Sequence, residues 1–204
     1  MTLSITIIII IITVLVSLGG FNNPKIMNDL IFYPPAIKEQ NQWYRFISNG
    51  FLHADYSHLF FNMFTLYFFG RSMESLYAVY LGKFGFLFFY IAAIIVSGIP
   101  SYIKHRNDST YRSLGASGGV SAVVFAYILM APWAWFTFPP LPAILYGILY
   151  LFYSVYMSKK GGDNINHDAH FWGAIFGVVF TIIMNPKILS FFLEQLTHPK
   201  GPGG

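Results

Sequence analysis

The sequence predicts an all-α polytopic membrane protein, a bundle of six transmembrane helices. Three observations carry this. The chain of 204 residues is 55% hydrophobic and 20% aromatic, and only 10% charged. A soluble domain carries about a quarter charged residues, so this chain lacks the polar groups to cover a water-facing surface. The charges also leave long free stretches at 2–24, 56–70, 84–103, 113–158 and 169–186, and a membrane helix needs about 20 largely apolar residues. Finally, the fourth stretch is 46 residues long and is broken at Pro132 and at Pro139, Pro140 and Pro142. Prolines so placed forbid one continuous helix, so it supplies two spans.

The first span, 3–19, has an apolar run followed by Gly19 and Gly20. It lacks the basic segment of a signal peptide and reads as a retained helix. Residues 20–52 are too apolar for a disordered linker. Phe21, Phe32, Tyr33, Trp43 and Tyr44 suit a structure embedded at the membrane interface. The remaining spans fall at 57–76, 83–103, 115–132, 141–158 and 168–186. No internal repeat or second domain is visible, so 1–190 reads as one domain. Residues 191–204 read as a short tail, with 198–204 frayed. Cysteine is absent, which excludes disulfides and cysteine nucleophiles. The net charge of +4 is scattered, which argues against a nucleic-acid partner. The bilayer is the expected partner, and no cofactor or metal is expected.

Polar residues inside spans are costly and point to function. His53, His58 and Asn62 fall near the start of the second span, Ser117 near the start of the fourth and His170 near the start of the sixth. Alternating spans enter from the same side, so these residues share one depth. His58 and Asn62, four apart, share a helix face. Singly, each reads as a cap or a structural hydrogen bond; together they describe a site.

Ser117 lies in Gly115-Ala116-Ser117-Gly118-Gly119, where free backbone N–H groups at a helix start can stabilise an oxyanion. His170 precedes Gly173 and Gly177, while Gly118, Ala122 and Ala126 form a matching stripe on the fourth span. Small-residue stripes let membrane helices pack closely, which would bring His170 to Ser117 as its general base. Asp168 is off the His170 face, so a dyad is the economical reading.

Ordered on spans two, four and six, these motifs resemble those of the rhomboid intramembrane serine proteases, across nearly the whole chain. Gly115-Ala116-Ser117-Gly118 is similar to the family's GxSG. Ala169 to Gly177 is similar to AHxxGxxxG, and His58-Leu59-Phe60-Phe61-Asn62 to HxxxN. Trp43-Tyr44-Arg45 resembles the WR signature with one residue inserted. His53 matches a recurrent histidine upstream of HxxxN. Gly70 and Glu74 fit GxxxExxxG, whose last glycine is Ala78 here.

The resemblance implies Ser117 as nucleophile and His170 as base and then acid. His58, Asn62 and the Ser117 amide would be the oxyanion donors, with Gly115, Gly118, Gly173, Gly177 and His53 in support. It implies transmembrane protein substrates cut in or near their membrane segments. It also implies a bacterial inner-membrane location with the site toward the extracytoplasmic face. The basic residues oppose that orientation: eight (Lys25, Lys38, Arg45, Lys104, Arg106, Arg112, Lys159, Lys160) lie on the site side against four opposite. Many relatives carry an aromatic four residues after the nucleophile, stacked on the histidine; here that residue is Ser121, and Trp172 or another ring is left to compensate. Two alternatives remain: an inactive rhomboid-like factor that binds membrane proteins, and a metal-dependent membrane hydrolase using His53, His58, His167, Asp168 and His170.

Overall fold

The computed structural model describes residues 4–136, 140–160 and 166–199. Among these the chain is helical throughout, apart from loops and two isolated β-bridges. Six longer helices occupy the six predicted spans. They are α1 (Ile5–Asn22), α5 (Tyr56–Leu81), α6 (Gly85–His105), α7 (Ser117–Met130), α8 (Ala143–Lys160) and α9 (His167–Met184). α1, α6 and α9 are long and apolar enough to cross a membrane. α5 and α8 match them in length but carry more polar residues, among them Arg71 and Glu74 on α5.

α7 is different. Its 14 residues rise only about 21 Å, short of a hydrocarbon core of about 30 Å. Eleven of them are buried, and α5, α6, α8, α9 and the last helix, α10 (Lys187–Leu196), surround it. Ser117 is the first residue of this short central helix.

α1 packs on α5, and its buried residues Thr6, Ile9, Thr13, Ser17 and Gly20 recur at three- and four-residue spacing. Of these, Ser17 bonds the Phe51 carbonyl and Gly20 lies against Leu52 and Met27. Glu74 on α5 caps its start: the carboxylate accepts from Ser4 Oγ (2.5 Å), Ile5 N (2.7 Å), Thr6 N (3.0 Å) and Thr6 Oγ1 (2.7 Å). The first backbone N–H groups of a helix have no partner within it, and here a neighbouring helix supplies one. Gly70 makes room, since a Cβ there would meet Thr6 Cγ2 at 2.8 Å.

The aromatic segment after α1 folds into three short helices, α2 (Pro24–Leu30), α3 (Pro34–Gln40) and α4 (Arg45–Ser48), and a 3₁₀ turn at Asn49–Phe51. Phe32, Ile37 and Phe46 form a satellite core against α6, while Trp43 and Tyr44 stay exposed at the rim. Arg45 is buried, donating to the carbonyls of Asn28 (2.9 Å) and Ile31 (2.7 Å) and to Gln42 Oε1 (2.6 Å). Lys25 pairs with Asp29, Lys104 with Asp168, and Arg112 covers the Tyr33 ring. Lys38 bonds Asn107 (2.6 Å) and Lys160 covers the Tyr156 ring, so six of the eight site-side cations have structural partners. On the opposite side Arg71 and Lys83 cover Tyr67 and Phe84 in the same way.

α10 continues past the predicted boundary at residue 190. Ile188 is buried, Trp133 Nε1 donates to the Gln195 carbonyl (2.8 Å), and Gln195 Nε2 donates to the Met130 carbonyl at the end of α7 (3.2 Å). Residues 200–204 of the predicted frayed end lie outside the described residues.

Candidate active site

The packing of α9 on α7 positions the site. A Cβ at Gly173 would overlap the Gly118 carbonyl, and one at Gly177 would overlap the Ala122 carbonyl. The two predicted stripes therefore meet backbone to backbone. On the other side of α7, Gly118 abuts Ser97 of α6.

The loop before Ser117 is held from outside. Phe32 and Ser113 exchange backbone hydrogen bonds (3.0 and 3.2 Å), and Gly115 N donates to the Asn49 carbonyl (3.1 Å). Gly115 has φ +127°, a conformation that favours glycine. A Cβ there would meet His58 Cε1 at 2.8 Å and Nε2 at 3.1 Å, with Ser117 Oγ 3.6 Å away. The absent side chain is the space around which His58 and Ser117 converge.

Ser117, His170, His58 and Asn62 line one cavity of about 180 Å³. Its other walls include Phe61, Val124, Phe125, Tyr146 and Tyr150, which make it mostly apolar. Asn62 is buried and gives one N–H of Nδ2 to the His58 carbonyl (2.9 Å), leaving its second. His170 occupies the first turn of α9, whose N-cap is Asn166: Oδ1 accepts from Ala169 N (3.0 Å). Asn166 also bonds Ser101 of α6 (3.0 Å) and Ser113 of the serine loop (3.4 Å). It thereby joins the Ser117 loop and the start of α9 to α6. Asp168 accepts from Ser158 Oγ on α8 and from Lys104 Nζ (3.4 Å). These partners lie on the neighbouring helices α8 and α6.

His53 lies outside the cavity, behind His58. Ser17 Oγ donates its one proton to the Phe51 carbonyl (2.9 Å), so the 3.0 Å contact with His53 Nδ1 makes that nitrogen the donor. The ring is fully buried and meets His58 edge-on at 4.9 Å between centroids. Burial, and then the neighbouring His58, push its pKa down to about 3.

The ring beside His170 comes from α8. Tyr150 stacks on the imidazole at 5.8 Å between centroids, with 23° between planes. Its hydroxyl bonds Ser121 Oγ at 2.6 Å. Trp172 instead meets Phe171 edge-on and is 43% exposed. Sequence reasoning leaves this ring unassigned, misses Asn166 and Asn49 altogether, and names Phe32 only as an interfacial aromatic. Among the described residues no three His, Asp or Glu side chains gather as a metal site.

The Rhomboid domain family model matches residues 40–187. The mitochondrial RHOMBOID-like protein 12 of Arabidopsis thaliana is 32% identical over 170 residues, covering 76% of this chain and 50% of that protein. The Bacillus subtilis (strain 168) protein named "Putative rhomboid protease YdcA" is 33% identical over 89 residues, 44% of this chain and 42% of its own length. The chloroplastic Rhomboid-like protein 11 of Arabidopsis thaliana is 27% identical over 165 residues, 75% and 56% of the two chains. The chain spans about half the length of the curated relatives it matches. With its all-helical membrane bundle and the family model matched over most of its length, the chain belongs to the rhomboid family.

Proposed function

We propose that the protein is an intramembrane serine endopeptidase that cuts peptide bonds in or near transmembrane segments of other membrane proteins. One observation carries this: Ser117, His170, His58 and Asn62, drawn from three helices, line a single cavity. The name of the Bacillus subtilis relative supports the same class.

Ser117 Oγ attacks the scissile carbonyl carbon while His170 takes its proton. The carbonyl oxygen becomes an oxyanion held by the Ser117 backbone N–H, His58 and the second Asn62 N–H. The intermediate collapses, the C–N bond breaks, and His170 returns the proton to the leaving amine. Water then attacks the acyl-serine by the same path, releasing the acid and restoring Ser117. A substrate helix hides its carbonyls in hydrogen bonds, so segments rich in Gly, Pro and other poor helix formers near the cut are preferred. The protein is multi-pass, and the site faces the extracytoplasmic side when the chain resides in a bacterial inner membrane.

Labelling with a fluorophosphonate probe in detergent tests the reading. The parent chain is labelled and cleaves a reporter transmembrane segment; Ser117→Ala does neither, and His170→Ala loses cleavage while remaining folded. Full cleavage by either variant sinks the assignment.

A further inference from the structure

We infer that Tyr150 is a positioning residue for His170, anchored to α7 by Ser121, so that α8 contributes to the base as well as to the cavity wall. The inference rests on the reading of His170 as the base. The Tyr150 ring lies nearly parallel to the imidazole at 5.8 Å between centroids. Two rings hold it in place, Phe125 of α7 at 5.9 Å and Tyr146 of α8 at 6.0 Å. The 2.6 Å bond from its hydroxyl to Ser121, which is buried, fixes the ring along its own plane. Ser121 is one helical turn beyond Ser117, so the tie ends on the helix that carries the nucleophile.

The physical consequence follows from the charge that His170 gains. A neutral imidazole on the Tyr150 face gains from packing alone. The imidazolium formed when Ser117 loses its proton is also attracted to the negative face of the ring. That attraction is stronger in the transition state than in the resting enzyme, so it lowers the barrier instead of tightening substrate binding. A small hydroxyl at 121 leaves room for the tyrosine from α8; a ring at 121 would occupy the same volume. The two positions are alternatives for one role.

The test is steady-state cleavage of a reporter transmembrane segment by the full chain, with thermal unfolding alongside. Tyr150→Leu lowers kcat about 10- to 30-fold, while KM stays within about twofold and the protein stays folded. Tyr150→Phe, which keeps the ring, recovers most of that loss. The exchange of Ser121→Tyr with Tyr150→Ser is faster than Tyr150→Ser alone. Parental kcat in Tyr150→Leu, a loss carried by KM, equal damage from Phe and Leu, or a folded exchange variant no faster than Tyr150→Ser overturns the inference and leaves the protease reading intact. Absence of Ser117-dependent cleavage in the parent chain overturns both.

Discussion

Gly173 of α9 lies against the backbone carbonyl of Gly118 of α7, so closely that no side-chain carbon fits between them. The obstacle is backbone, which cannot swing aside as a side chain could. Gly173→Ala therefore has to push the two helices apart and carries His170 away from Ser117. Overpacking of this kind costs about 1–3 kcal/mol, occasionally more. We expect a lowered unfolding midpoint together with loss of cleavage. Gly98→Ala is the control, because a Cβ there meets only ordinary contacts at 3.4–3.6 Å. It should be neutral, or stabilising by up to about 1 kcal/mol through helix propensity.

The Glu74 carboxylate serves as the N-terminal cap of a different helix, accepting two backbone and two hydroxyl donors from residues 4–6. Glu74→Gln replaces one acceptor oxygen by an NH₂ group that faces donors. Hydrogen bonds to a charged group are worth about 1.5–3 kcal/mol, so the substitution should loosen α1 by about 2 kcal/mol. Faster proteolysis near the N-terminus and a lower unfolding midpoint would report it. An unchanged midpoint would show that the cap contributes nothing.

How much of this was open to sequence reasoning depended on range. The stripe Gly118, Ala122 and its partners Gly173, Gly177 were legible because helical periodicity puts such residues on one face, and close packing needs small ones. His58 and Asn62 were legible for the same reason. Tyr150 was not, because its partner Ser121 is 29 residues away on another helix and nothing local distinguishes Tyr150 from Tyr146 or Tyr153. The Phe32–Ser113 bridge and the Asn49 carbonyl under Gly115 are backbone interactions, which side-chain patterns do not encode. Glu74 matched a motif, yet its partners on α1 lie some 70 residues earlier and only the packed bundle reveals them.

Stability should depend on acid through His53. Its pKa falls from 6.5 to about 3 on folding, so between those values the unfolded chain binds a proton that the folded chain refuses. Stability is complete above about pH 6.5 and falls as the pH drops toward 3, by up to about 1.4 kcal/mol per pH unit for one proton. His53→Gln should flatten that slope by one proton. Unfolding midpoints recorded from pH 3.5 to 8 check this; identical slopes for parent and variant would remove His53 as the source.

Asn62 is assigned one oxyanion hydrogen bond, not the chemistry itself. Removing one such donor costs roughly 10²–10³ in kcat. Asn62→Ala should therefore slow cleavage by that factor while fluorophosphonate labelling of Ser117 persists. An unchanged kcat would take Asn62 out of the site.

Asp168 separates a dyad from a triad. It is two residues from His170, but its carboxylate accepts from Ser158 on α8 and Lys104 on α6. A carboxylate that orients a catalytic imidazole is worth about 10⁴ in kcat when changed to its amide. Asp168→Asn keeps an acceptor for Ser158 and loses only the ion pair with Lys104, whose side chain is 58% exposed and whose pairing is worth about 0–1 kcal/mol. We expect kcat within about tenfold of the parent and a small drop in the unfolding midpoint. A loss approaching 10⁴, with the fold retained, would make Asp168 the third member of the site.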